Sequence, residues 1–193
     1  MTDRAPVRRN DAVRNRERIL EAARAAFAGA DTEVSMAEVA RRSGVGSATL
    51  YRNFATRRDL LEALYADEVD AVCAAAGTVE GDTAADRFEA WLRRFADYAT
   101  SKRHVAVELL AHTDRSDSVF VAGRDRVLAA GTPLVEAARE AGEVDAEISL
   151  DQVLDLVVAV ARIDGPPGYV APILDAALAG LRRPASAPAR TAS

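Results

Sequence analysis

Cysteine is almost missing from this chain of 193 residues, and its scarcity removes several possibilities together. The single Cys73 has no intramolecular partner for a disulfide, and with only two histidines there is no Cys/His cluster at zinc-site spacing. Set in an Ala-rich stretch, Cys73 reads as a small buried hydrophobe rather than a redox switch. Aromatics make up 5% of the chain while hydrophobic residues make up 49%, the balance of an Ala/Leu/Val-rich helical bundle. β-Branched runs are short and do not alternate, which leaves little for a sheet, so the expected fold class is all-α. No run reaches about 18 consecutive apolar residues, so no membrane span is predicted. The arginine-rich beginning lacks an apolar h-region, so no secretory signal is read there and a cytoplasmic protein is expected. Two histidines, one cysteine and no glycine-rich phosphate loop are poor material for an enzyme site. Asp, His and Ser do fall together at 112–118, but that stretch reads as a polar loop. No catalytic residue, metal ligand or cofactor is expected.

What is present is unevenly placed. The net charge is −5, yet residues 1–60 carry 12 arginines against 8 acidic residues. The other 133 residues carry 13 basic and 22 acidic groups. Positive charge is thus concentrated at one end, as phosphate binding requires, and the acidic remainder would repel a polyanion.

The basic end holds the most informative stretch, Ser35 to Leu61. Ser35-Met-Ala-Glu38 has the form of a capping box, with Ser35 accepting the N–H three residues on and Glu38 reaching back to the N–H of the cap. Met36, Val39 and Ala40 form one apolar face. Gly44 stands where a left-handed residue must end the helix. The segment Ser47 to Arg52 is too short to be stable alone, so Val45, Leu50 and Phe54 must hold it against its neighbours. Its other face carries Ser47, Ala48, Thr49 and Arg52, small or polar groups suited to the DNA major groove. The pattern is a helix-turn-helix.

Residues Ile19 to Leu64 resemble the DNA-binding domain of the TetR family of transcriptional regulators. The matching residues are Arg18-Ile-Leu-Glu-Ala-Ala23 with Phe27, Met36-Ala-Glu-Val-Ala40, Gly44-Val45, Thr49-Leu50-Tyr51, Phe54 and Leu60-Leu61. Asn53, where many members have His, and Arg57, where Lys is commoner, depart from the pattern, but both remain donors to phosphate. The resemblance implies an N-terminal three-helix head followed by a helical ligand-binding and dimerisation body. It also implies phosphate contacts by Tyr51 and Arg57. From the residues, Gly46 permits close approach to phosphate, and Ser47, Ala48 and Thr49 begin the helix that faces base edges. Arg52 is either a guanine reader or a solvated arginine, and Tyr51 either a phosphate contact or a core ring. Arg14, Ser35 and Asn53 complete the expected DNA-binding set.

About nine helices are expected in four divisions. Residues 1–12, with Arg4, Arg8, Arg9 and Pro6, form a flexible basic arm, which either stays disordered or adds DNA contacts. Residues 13–60 form the head, whose first helix runs from about Val13 to Ala28. Residues 61–183 form the body, and 184–193 a Pro/Ala/Ser tail with too little apolar mass to fold. Thr56 to Asp59 caps a long helix ending before Gly77, the natural lever between head and body. The body helices start near Ala84, near Val105, at about Arg124 with a kink or break at Pro133, at the capping box Ser149-Leu-Asp-Gln152, and near Tyr169.

The last two helices carry more apolar residues than one buried side needs. Val153, Leu154, Val157, Val158, Ile173, Leu174, Ala177 and Leu178 are the candidates for a homodimer interface, which the resemblance casts as a four-helix bundle across a two-fold axis. The alternative is that these helices are the inner core of a monomer. The resemblance further implies an effector pocket between 84 and 141. Trp91, Phe95, Tyr98, His112, Phe120 and Leu128 are candidate lining for a small hydrophobic or amphipathic ligand. The partners expected are double-stranded DNA with a palindromic operator, a small-molecule effector and a second copy of the chain. Repression is the family's usual mode. A helix-turn-helix regulator with a packed body that acts through a protein partner stays open as the rival.

Overall fold

The architecture is that of a computed structural model, which describes residues 5–28, 34–101, 105, 109 and 118–183. Eight helices run through the described residues: α1 Ala5–Ala28, α2 Met36–Ser43, α3 Ser47–Asn53, α4 Arg57–Ala75, α5 Ala84–Ser101, α6 Ser118–Glu140, α7 Leu150–Ala161 and α8 Pro167–Ala179. No strand occurs among them, and Val144 and Arg182 make an isolated bridge. The fold is all-α, as the composition implies. Of the segment expected to add a further helix, Val105 and Leu109 are helical and buried, while Leu110 lies outside the described residues.

Several ends follow from local chemistry. α4 opens on a reciprocal cap, in which Asp59 N–H donates to Thr56 Oγ1 at 3.1 Å and Thr56 N–H to Asp59 Oδ2 at 2.9 Å. α7 has the full capping box between Ser149 and Gln152. α8 takes Pro167 at its first turn, where the missing N–H has no acceptor to lose. The same logic moves the start of α1. Pro6 lies ahead of the helix start expected near Val13, yet α1 begins at Ala5, which puts the proline at its second residue, where no intrahelical bond is forfeited. α6 begins at Ser118, ahead of the expected Arg124, and Pro133 lies inside it rather than ending it.

The chain divides into two compact units, Met1–Glu68 with Ser101–Val119, and Val69–Thr100 with Phe120–Ser193. The core of the first unit collects Ile19, Ala23 and Phe27 of α1, Val39 of α2, Leu50 of α3, Phe54, and Leu60, Leu61 and Leu64 of α4. Arg18 ties α1 to the end of α2 by donating to the Ser43 carbonyl at 2.8 Å, one of the carbonyls a helix end leaves open. The core of the second unit collects Phe88, Trp91, Leu92 and Phe95 of α5, Val127 and Val135 of α6, Val153, Leu154 and Val157 of α7, and Leu178.

Candidate nucleic-acid interface

The turn between α2 and α3 is built as its residues demand. Gly44 has φ 66°, and a Cβ there would approach Arg18 Nη2 to 3.0 Å, so both backbone and space favour glycine. Ser35 Oγ accepts the Glu38 N–H at 3.2 Å. The returning half of the expected capping box is corrected: Glu38 turns outward. Its carboxylate accepts from Arg41 Nε and Nη2 at 2.8 and 2.7 Å and from Arg42 Nε at 2.6 Å. Two guanidiniums outcompete one neutral N–H because each adds a full opposite charge to its hydrogen bonds with the carboxylate. The bonds from Arg41 and then Arg42 pull the Glu38 carboxyl down to about 2.

α3 is anchored by the fully buried Leu50 and by Phe54, whose N–H donates to the Leu50 carbonyl at 2.9 Å. Outward lie Ser47, Ala48, Tyr51 and Arg52, with Thr49 and Asn53 half-buried. Tyr51 is 52% exposed, so its ring is not a core ring. A Cβ on Gly46 would meet nothing within 4 Å, which leaves the backbone ahead of α3 open to approach. Arg52 folds back along its own helix, donating to the Ala48 carbonyl at 3.1 Å and to Thr49 Oγ1 at 3.0 Å. Asn53 Nδ2 donates to the Thr49 carbonyl at 2.8 Å. Arg57 holds its guanidinium 5.4 Å from the centroid of the Phe27 ring. Arg14 is exposed on α1, and the hydroxyl of Ser35 is engaged by the cap. Arg16, which the linear pattern left unassigned, lies 4.7 Å over the Phe54 ring.

In the second unit, the expected pocket aromatics are packing residues. Trp91 is fully buried and donates its Nε1–H to the Val72 carbonyl at 3.1 Å. Its ring stacks between Phe88 at 6.3 Å and Phe95 at 6.2 Å, and Tyr98 follows Phe95 at 5.6 Å. Gly131 of α6 passes so close that a Cβ would fall 2.2 Å from the indole rim. Phe120 and Leu128 are half-buried, and His112 lies outside the described residues. A hollow of about 10 Å³, room for roughly one water, lies elsewhere, among Ala85, Phe88, Glu89, Leu92, Leu178 and Arg182. Cys73 is half-buried, and burial pushes its thiol up, against the thiolate form.

The expected interface residues separate into two sets. Val153, Leu154, Val157 and Leu178 are buried within their own chain. The cause is helical phase: these side chains face the interior rather than solvent. Val158, Ile173, Leu174 and Ala177 are half-buried, while Leu156 is 36% and Tyr169 59% exposed. α8 has one charged residue, Asp175, and among its described side chains only Leu178 is buried.

Residues 19–64 match the family model for bacterial regulatory proteins of the tetR family. Residues 82–183 match the C-terminal domain of SbtR-like transcriptional regulators. The chain belongs to the TetR family. Among solved structures, a TetR transcriptional regulator from Streptomyces coelicolor is 33% identical, with a TM-score of 0.71 over 88% of this chain and 99% of that one. A TetR regulator from Mycobacterium vanbaalenii is 30% identical, with a TM-score of 0.68 over 91% and 99%. AmtR from Mycobacterium smegmatis is 29% identical, with a TM-score of 0.56 over 86% and 85%. No protein of curated function matches the chain. As a TetR-family member the protein is a DNA-binding transcriptional regulator, and its helix-turn-helix comprises α2 and α3. Among the described residues no cluster could hold a metal ion, and no helix is long and apolar enough to cross a membrane.

Proposed function

We propose that this TetR-family regulator is a cytoplasmic homodimeric repressor that a small hydrophobic or amphipathic ligand releases from a palindromic operator. The observation that carries the reading is the outward face of α3, where Ser47, Ala48, Tyr51 and Arg52 stand exposed on a helix pinned by Leu50 and Phe54. The head, about residues 13–60, offers the Ser47, Ala48, Thr49 and Arg52 side chains to base edges. It offers Tyr51, Asn53, Arg57, Arg14 and the backbone at Gly46 to phosphates.

The body, about 61–183, supplies the second head. Leu156, Tyr169, Val170, Ile173, Leu174 and Ala177 leave an apolar surplus on α7 and α8, and a second copy of the same surface suits it. Two heads then read half-sites about 34–36 Å apart or a multiple. A ligand that binds the body better in the DNA-free state must weaken operator binding by linkage. A ten-fold loss needs about 1.4 kcal/mol of differential affinity. Selection from random duplex DNA, followed by gel shift and light scattering, tests the reading. It expects a palindrome bound by a dimer, and a monomer that enriches no sequence sinks it.

The tight packing around Trp91 favours a second reading, a packed body that responds to a protein partner. Melting shifts across a ligand library discriminate: a ligand that raises the melting temperature and lowers operator affinity supports the first.

A further inference from the structure

We infer that Arg16, outside the helix-turn-helix, is a phosphate-binding residue that clamps the DNA backbone beside the C-terminal end of α3. This rests on the DNA-binding reading and extends it to α1.

The first clue is how positive charge is distributed in the first unit. Arg24 is paired with Asp67 and Glu68, Arg41 and Arg42 with Glu38, and Arg58 with Glu62. Each of those guanidiniums is already paired with a carboxylate, Arg41 and Arg42 sharing one. Arg16 is exposed and has no carboxylate within ion-pair distance among the described residues. Its placement comes instead from an aromatic ring, with the guanidinium carbon 4.7 Å above the centroid of Phe54.

That arrangement has a chemical consequence. A cation held over a ring face spends no hydrogen-bond donor on that contact, so its five N–H groups stay open to an anion. An arginine held over a ring is also placed before it binds, so less side-chain freedom is lost on contact. The second clue is where this contact lies. Phe54 is the residue that closes α3, so Arg16 flanks the same short helix that presents Tyr51 and Arg52. The third is repetition: Arg57, which the family resemblance assigns to phosphate, is likewise held over a ring, that of Phe27. An unpaired cation fixed at the rim of the recognition helix fits a duplex phosphate.

The test is equilibrium binding of the full-length protein to its selected operator and to a random duplex across about 50–200 mM salt. Arg16→Ala is expected to weaken both duplexes by the same factor and to reduce the slope of log affinity against log salt by about 0.9 per bound head. Arg16→Lys, which keeps the charge, should restore the slope. Arg24→Ala, whose guanidinium is held by acids, should leave it unchanged. If Arg16→Ala fails to fold, Arg16→Gln carries the same expectation. A charge-removing variant that melts like the wild type and keeps the wild-type slope overturns the proposal while the DNA-binding reading stands. Wild-type protein that binds neither duplex at the lowest salt overturns both.

Discussion

In the unit that contains α1 to α3, Arg14, Arg16 and Arg52 face no carboxylate among the described residues. In the unit that contains α5 to α8, arginines bridge elements through acids. Arg93 joins Glu89 to Asp175, Arg124 joins Asp151 to Asp155, Arg126 meets Asp70, and Arg182 meets Asp86 and Glu89. The aromatics divide the same way. Phe27 and Phe54 each lie beneath an arginine, whereas Phe88, Trp91, Phe95 and Tyr98 pack against one another. One residue type therefore serves as internal mortar in both units, and in the first Arg14, Arg16 and Arg52 are left over for a polyanion. The local supply of carboxylates decides which, since a guanidinium beside an acid has little charge left to offer phosphate.

The largest way to break this contrast is at Trp91. Trp91→Ala removes a fully buried ring and its bond to Val72, and should cost about 3–5 kcal/mol in urea unfolding. A loss under about 1 kcal/mol would mean the aromatic row is not the core it looks to be. Next in size is Arg57→Ala, which should weaken operator and random DNA alike and lower the salt slope by about 0.9 per head. A loss confined to the operator would make Arg57 a base reader instead.

The comparison is sharpened by moving an acid. Glu38→Gln takes the carboxylate away from Arg41 and Arg42 while keeping the backbone N–H that Ser35 caps. Random-duplex affinity should then rise and the slope steepen, by at most about 0.9 for each arginine that reaches phosphate. An unchanged slope would mean α2 faces away from DNA.

The smallest effect concerns acid. The Arg182 guanidinium, helped by Thr83, holds the Asp86 carboxyl below its ordinary value, and bonds from Arg93 and Arg182 lower Glu89 against the opposing pull of burial. A depressed folded-state value adds stability that is present above the ordinary range, near 4, and is lost as pH falls through the folded-state value. The melting temperature should drop less steeply with acid in Arg182→Met than in the wild type, and parallel profiles would sink the link.

Capped helix starts were the most legible part of the chain. Ser35, Thr56 and Ser149 each bond the N–H three residues on, and Gly44 takes the left-handed turn. These interactions span three or four residues, so local sequence alone specifies them. Less was legible of which partner a long side chain selects. Glu38 had one N–H suggested by spacing and found two arginines a turn away; Arg52 found its own helix; Arg16 found Phe54, 38 positions along the chain. A flexible side chain chooses among neighbours that only folding assembles.

The amino-acid order by itself determined the all-α class, the recognition turn, the basic end and the positions of most helices, because periodicity, caps and glycine act over one or two turns. Tertiary structure alone decided that Val153, Leu154 and Val157 belong to their own subunit's core while Leu156 stays outside. It also decided that Trp91 fills space against Gly131. A helix apolar on most sides has no preferred direction of burial until its neighbours are in place, and a ring becomes packing or pocket wall according to what backbone comes close to it.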